Sequence, residues 1–265
     1  MLRVGLCQVT SSEVPAENLE TIRVRVAEAA AGGARVVVFP EAAMARFGVS
    51  LTPLAEPLDG PWAKAVAAIA AEHDVLVVAG MFTPSDDGRV RNTLLVTGLG
   101  EHLGYDKIHL YDAFGFRESD TVAPGAVPVT LRVDEVTLGV ATCYDIRFPE
   151  LFRALADRGA DAIVVPTSWG AGAGKRDQWE VLVRARALDS GCWVLGCDQA
   201  DPAATGTEVN PKAPTGIGYS TVADGFGVVR AQLGAGPEVV VVDVDPAVTE
   251  RARAATGALA NRRLG

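Results

Sequence analysis

Apolar runs recur along the chain, each bounded by glycine or proline and separated by Ala-rich amphipathic stretches. Gly33-Ala34-Arg35-Val36-Val37-Val38-Phe39-Pro40 reappears as Gly159-Ala160-Asp161-Ala162-Ile163-Val164-Val165-Pro166. Each copy reads as helix end, glycine turn, buried strand and stop. Upstream, Leu2-Arg3-Val4-Gly5-Leu6 matches Val136-Thr137-Leu138-Gly139-Val140, and downstream Trp62 to Gly80 parallels Trp179 to Cys197 as a helix followed by an apolar strand. The order β-α-β-α-β thus occurs twice. Strands covered on both faces are apolar throughout rather than alternating, which is what these runs show. The segments 93–97 and 102–108 read as a hairpin around Gly98 and Gly100, which adds antiparallel pairing. The expectation is an α/β chain, a four-layer α-β-β-α sandwich of two mixed sheets with internal pseudo-symmetry, forming one domain over residues 1–265. A chance match between Val-rich runs is the competing reading of the repeat.

One apolar run ends on chemistry. Val136 to Thr142 stops at Cys143, and Tyr144-Asp145-Ile146-Arg147-Phe148-Pro149-Glu150-Leu151 follows. Pro149 suits a first helical position, where its missing N–H costs nothing, and Leu151, Phe152 and Leu155 then recur at helical spacing. A cysteine on such a strand-to-helix corner is lifted above the sheet beside backbone N–H groups that can receive an oxyanion. The plainer alternative is a small buried hydrophobe.

Composition narrows the class of partner. The 265 residues carry a net charge of -9 with no cluster of Lys or Arg, which points away from nucleic acid and anionic membranes and toward a small-molecule substrate. No secretory leader pattern opens the chain and no apolar stretch is long enough to span a bilayer. Cys7, Cys143, Cys192 and Cys197 show no C-x-x-C spacing, so a reduced, cytoplasmic protein is expected. Cys192 and Cys197 would face opposite sides of a strand, which disfavours a shared metal. Neither a metal nor a cofactor is expected, and Trp169-Gly170-Ala171-Gly172-Ala173-Gly174-Lys175 lacks the first glycine and the closing Ser or Thr of a phosphate-binding loop.

In open α/β sheets ligands meet the chain just past the strands' carboxyl ends. Glu41 follows Val36 to Pro40, Lys107 closes the run Leu103 to Asp106, and Cys143 ends its own strand. Lysine is scarce, at positions 64, 107, 175 and 212 only, so one at a strand end stands out. Together the three meet the needs of acyl transfer: a nucleophile, a base for its proton and a cation for the developing oxyanion. Taken singly, Lys107 could pair with Asp106 or Asp112, and Glu41 could sit at a helix N-terminus. Of His73, His102 and His109, only His109 lies near the candidate residues, which keeps a Cys-His arrangement open.

Phe39-Pro40-Glu41, Lys107 to Asp112 and Cys143 to Leu151 resemble the three ordered motifs of the nitrilase, or carbon-nitrogen hydrolase, superfamily. The similarity extends through Arg184-Ala185-Arg186-Ala187-Leu188-Asp189 to Asn261-Arg262-Arg263 and covers nearly the whole chain. The resemblance implies the α-β-β-α sandwich with internal pseudo-symmetry and a homodimer. By the same resemblance Glu41 takes the thiol proton of Cys143, Lys107 and the Tyr144 N–H hold the oxyanion, and Glu118 orients Lys107 or water. The Cys143 motif is most similar to the branch of omega-amidases and deaminated-glutathione amidases, which implies a small amide carrying a carboxylate. Arg147 or Arg117 would receive that carboxylate, with Tyr144 and Trp169 also lining the substrate. The competing structural roles are a Glu118–Arg117 pair and an Arg147 pair with Glu150 or Asp145. Departures fall near the substrate loop and beyond it: Gln178-Trp179 where many relatives have His-Trp, Gly218-Tyr219-Ser220 for Gly-His-Ser, and Ala258-Leu259-Ala260 before the arginines. Hydrolysis of N-carbamoyl amino acids or nitriles by the same residues, acyl transfer to an amine, and a non-catalytic binding role are the alternative functions.

Overall fold

The computed structural model describes residues 1–210 and 212–263. The first half runs β1 (Leu2–Gln8), α1 (Pro15–Ala31), β2 (Val36–Val38), α2 (Pro61–Glu72) and β3 (Leu76–Pro84), then the hairpin β4 (Val90–Gly98) and β5 (Glu101–Asp106). The second runs β6 (Val129–Val133), β7 (Val136–Val140), α3 (Pro149–Asp157), β8 (Ala162–Thr167), α4 (Lys175–Ser190) and β9 (Trp193–Asp198). A single turn α5 (Pro202–Thr205), strands β10 (Thr221–Ala223), β11 (Val229–Gln232) and β12 (Glu238–Val244), and α6 (Pro246–Thr256) follow.

Two six-stranded mixed sheets result, ordered β12-β1-β2-β3-β4-β5 and β11-β10-β9-β8-β7-β6. In each, three parallel strands lie between antiparallel neighbours, β1-β2-β3 in one and β7-β8-β9 in the other. The repeat read from the apolar runs is therefore real, and it is circular: β6 flanks β7 just as β12, from the far end of the chain, flanks β1 in the register Leu2↔Val244 to Gln8↔Glu238.

Alternation explains the layers. Val4, Leu6, Val36, Val38, Val78 and Val96 face Leu138, Val140, Val164, Leu195 and Val222 in one apolar layer between the sheets. The other faces, carrying Val37, Val77 and Ala79 on one sheet and Ile163, Val165 and Val194 on the other, pack under α1 with α2 and under α3 with α4. Every one of these runs is thus covered twice, so each reads as continuously apolar. Among the described residues no helix is long and apolar enough to cross a membrane.

Candidate active site

Cys143 lies past the end of β7. Ala141 still pairs with β8, its N–H donating to the Val164 carbonyl at 3.1 Å, and Thr142 is extended. Cys143 then turns into the left-handed region at φ 46° and opens a 3-10 turn, Cys143–Arg147, that hands over to α3 at Pro149. A non-glycine residue held there is strained, and such strain persists where the surroundings over-determine it. Asp145 supplies that constraint. Fully buried, it accepts from Thr142 N–H at 3.0 Å, Tyr105 Oη at 2.6 Å, and the backbone N–H and ring Nδ1 of His109 at 3.0 and 2.8 Å. The Cys143 turn is thereby tied to β5 and the segment after it.

Glu41 sits on a turn past β2 with no helix starting at it, so the alternative of a carboxylate at a helix N-terminus does not hold. Its backbone instead presses on β3. Gly80 N–H donates to Pro40 O at 3.2 Å, and a Cβ on Gly80 would lie 2.3 Å from the Ala42 nitrogen. Only glycine allows that approach. Lys107 stands one residue beyond β5, its N–H donating to Asn92 O at 2.9 Å. Its ammonium reaches Glu41 Oε1 at 2.9 Å and Glu118 Oε2 at 2.9 Å, not Asp106 or Asp112. Glu118 likewise turns to Lys107, while Arg117 is exposed and pairs with Asp120 at 3.5 Å.

Glu41, Lys107 and Glu118 are each 5 % exposed or less. Burial raises the Glu41 carboxyl, the Lys107 charge opposes that rise, and Glu118 adds to it; the net direction is upward. Burial alone would lower Lys107, but the charges of Glu118 and Glu41 outweigh it and hold the ammonium well above its ordinary range. Burial and the Glu41 charge push the Cys143 thiol well above its own. At rest Cys143 is therefore held as a neutral thiol, with Ser168 O 3.8 Å from Sγ.

Above these groups opens a cleft of about 420 Å³, part of it open to solvent, whose walls include Cys143, Tyr144, Arg147, Trp169, Tyr111 and Lys175. Arg147 pairs with neither Glu150 nor Asp145. Its Nη2 donates to Gln178 Oε1 at 2.7 Å, its buried Nε has no partner among the described residues, and its guanidinium lies 5.2 Å from the Trp169 ring centre. Lys175 places Nζ 3.5 Å from the Phe114 ring centre, and burial followed by the Arg147 charge lowers its pKa. Among the described residues neither cation has a carboxylate partner. His109 is stacked on Phe148 with ring centres 3.8 Å apart and faces Asp145, not the cleft. His102 bonds Thr97 and Leu58, and His73 caps α2.

Three site residues escaped the sequence reading. Asn92 donates to both glutamates, Ser168 N–H donates to Glu41 Oε2 at 2.9 Å, and Lys175 enters the cleft from the start of α4. Only Lys175 carried a signal, as one of four lysines. Among the described residues no group of three His, Cys, Asp or Glu side chains is arranged to hold a metal ion.

The fold places the chain among nitrilase-superfamily structures. It superposes on a mutant of the amidase from Nesterenkonia sp. AN1 in complex with butyramide, with a TM-score of 0.82 at 26% identity over 99% of this chain and 94% of that one. A second mutant of that amidase, at the same score, identity and coverage, shows covalent addition of the acetamide moiety of fluoroacetamide at its active-site cysteine. The chain belongs to the carbon-nitrogen hydrolase family, whose defining pattern matches residues 3–254. It is 52% identical over 250 residues to hydrolase Rv0480c of Mycobacterium tuberculosis, covering 92% of this chain and 89% of that one. It is 32% identical over 269 residues to the deaminated glutathione amidase of Escherichia coli O157:H7, covering 100% and 97%.

Proposed function

We propose that this carbon-nitrogen hydrolase cleaves a small amide bearing a carboxylate, releasing ammonia through a thioester on Cys143. The observation that carries the reading is the convergence of a strained, thiol-form cysteine, a buried glutamate and a buried lysine paired with it at the floor of one cleft. Because the thiol is held neutral, its proton must leave as sulfur attacks, and in this reading Glu41 takes it. Sγ bonds to the amide carbon, and the oxyanion meets the Lys107 ammonium and the Tyr144 N–H. Glu41 returns the proton to the leaving nitrogen, the C–N bond breaks and ammonia departs. Glu41 then takes a proton from water, the hydroxide adds to the thioester, the C–S bond breaks and the proton returns to sulfur. Glu118 keeps Lys107 in place.

The unpaired cations Arg147 and Lys175 support an anionic substrate, set among the rings of Tyr111, Phe114, Tyr144 and Trp169. Arg117, exposed and away from the cleft, is set aside. The working unit in this reading is one domain over residues 1–265, cytoplasmic, where its four buried cysteines stay free thiols, and a homodimer. Exposed Val181 and Leu188 on α4, with Phe226 and Val228 in the β10–β11 turn that Gly227 packs on Leu188, supply an apolar face for self-association.

Ammonia release from ω-amido acids, butyramide and N-carbamoyl amino acids tests the reading, with Cys143→Ala as the blank. Turnover of ω-amido acids above butyramide, lost in the blank, is expected. Carbon dioxide released with ammonia from the carbamoyl compounds alone would replace it with a carbamoyl hydrolase, and turnover surviving Cys143→Ala would refute the thioester.

A further inference from the structure

Glu41 and Glu118 meet Lys107, but the ammonium is not the only group joining them. Asn92 Nδ2 donates to Glu41 Oε1 at 2.7 Å and to Glu118 Oε1 at 3.1 Å, and Lys107 Nζ donates to the same two oxygens at 2.9 and 3.2 Å. Two donors and two acceptors close a ring. Asn92 is 1% exposed and lies on β4, and its backbone carbonyl also receives the Lys107 N–H, so one residue fixes all three charged groups.

Its other amide atom is left unserved. Asn92 Oδ1 is buried with no partner among the described residues, an arrangement that native proteins seldom keep without a reason. Rotating the amide by half a turn would press that oxygen against two carboxylates, so the ring fixes its direction. A cation in this place would neutralise the second carboxylate and weaken the base; an apolar side chain would leave two like charges sharing one ammonium. A neutral amide donor avoids both.

We propose that Asn92 is a positioning residue for Glu41, occupying Oε1 together with Lys107 so that Oε2, which accepts from the Ser168 N–H, is left to take the Cys143 proton. The ring also keeps Glu41 ionised at lower pH than burial beside Glu118 would allow, because a donor to the charged form favours it. Glu41 is faced by Glu118, Lys107 and Cys143, and Asp198 at the end of β9 also feels its charge. Asn92 adds the neutral donor to this set. This inference rests on Glu41 acting as the base in the proposed reaction.

The test reads the Glu41–Cys143 couple without any substrate. Alkylation of Cys143 by iodoacetamide is followed by mass spectrometry across pH in the wild type, Asn92→Ala and the isosteric Asn92→Asp, with thermal melts to confirm folding. Cys7, Cys192 and Cys197 are fully buried, which keeps the label on Cys143. The expected result is an acid-side midpoint raised by about one pH unit in Asn92→Ala, for the lost bond to the charged Glu41. A larger rise is expected in Asn92→Asp, which adds a third acid, and the Asn92→Ala rate recovers on the plateau above the midpoint. An unmoved midpoint in both folded variants, or rates depressed equally at every pH, would overturn the proposal by leaving Asn92 a packing role only. Shifted midpoints in a protein that releases no ammonia from any amide would instead refute the amidase reading and leave the Asn92–Glu41 coupling standing.

Discussion

Replacing Lys107 by Met keeps the length of the side chain and removes the one cation between two buried carboxylates. In the wild type Nζ lies 2.9 Å from Glu41 Oε1 and 2.9 Å from Glu118 Oε2, with 2% of the lysine exposed. Breaking a buried pair by deleting one partner costs about 3–5 kcal/mol, because an uncompensated charge is left inside. At about 2–4 °C per kcal/mol for a chain somewhat smaller than this one, the melting temperature at neutral pH should fall by roughly 6–20 °C. The loss should depend on pH. Without Lys107 one carboxylate is driven to a pKa above its unfolded value, so the folded state binds the extra proton between the two values. Stability therefore falls as pH rises through that window, and the deficit shrinks toward zero as pH drops below the ordinary carboxylate range. Melting curves of wild type and Lys107→Met from acid to neutral pH, with amide hydrolysis measured alongside, provide the assay. Hydrolysis should fall about a hundredfold or more through loss of the oxyanion cation. A deficit equal at every pH, or activity within tenfold of wild type, would refute the account of Lys107.

Gly80→Ala should displace the Glu41 turn, since the new Cβ would stand 2.3 Å from Ala42 N, and lower hydrolysis by tenfold or more; Gly234→Ala, with nothing within 4 Å, should leave it unchanged. Equal activity in both would show that the Gly80 approach is not needed. Lys175→Met should raise KM for an ω-amido acid by about ten- to a hundredfold with kcat kept, the worth of one charge-assisted contact, and leave butyramide unaffected. Because burial and Arg147 lower the Lys175 pKa, KM of the wild type for the anionic substrate should rise as pH passes that lowered value, earlier than an ordinary lysine would allow. Equal KM effects on both substrates would remove Lys175 from carboxylate recognition.

The Cys143 corner was legible because it is local: an apolar strand that halts at Cys143 and restarts as a helix at Pro149 leaves little choice of geometry. Glu41 and Lys107 were legible as polar residues just past apolar runs, and the twofold repeat as matching glycine-bounded strands. Asn92 was not, because a single polar residue inside β4 looks like any strand interruption until Glu41 and Glu118, 51 and 26 positions away, are brought beside it. The same holds for β12, whose pairing with β1 depends on closing the first sheet across the whole chain. Arg147 was read against its acidic sequence neighbours Asp145 and Glu150. The fold commits Asp145 to Tyr105 and His109 and brings up Gln178, 31 positions away.

The central claim, that Cys143 carries the acyl group, is tested most directly by intact-mass measurement of rapidly quenched protein during turnover of an ω-amido acid. The account predicts a species heavier by the acyl group, mapped to Cys143 and absent from Cys143→Ala. Ammonia released at full rate with no adduct on Cys143, or an adduct that persists in Cys143→Ala, would contradict it.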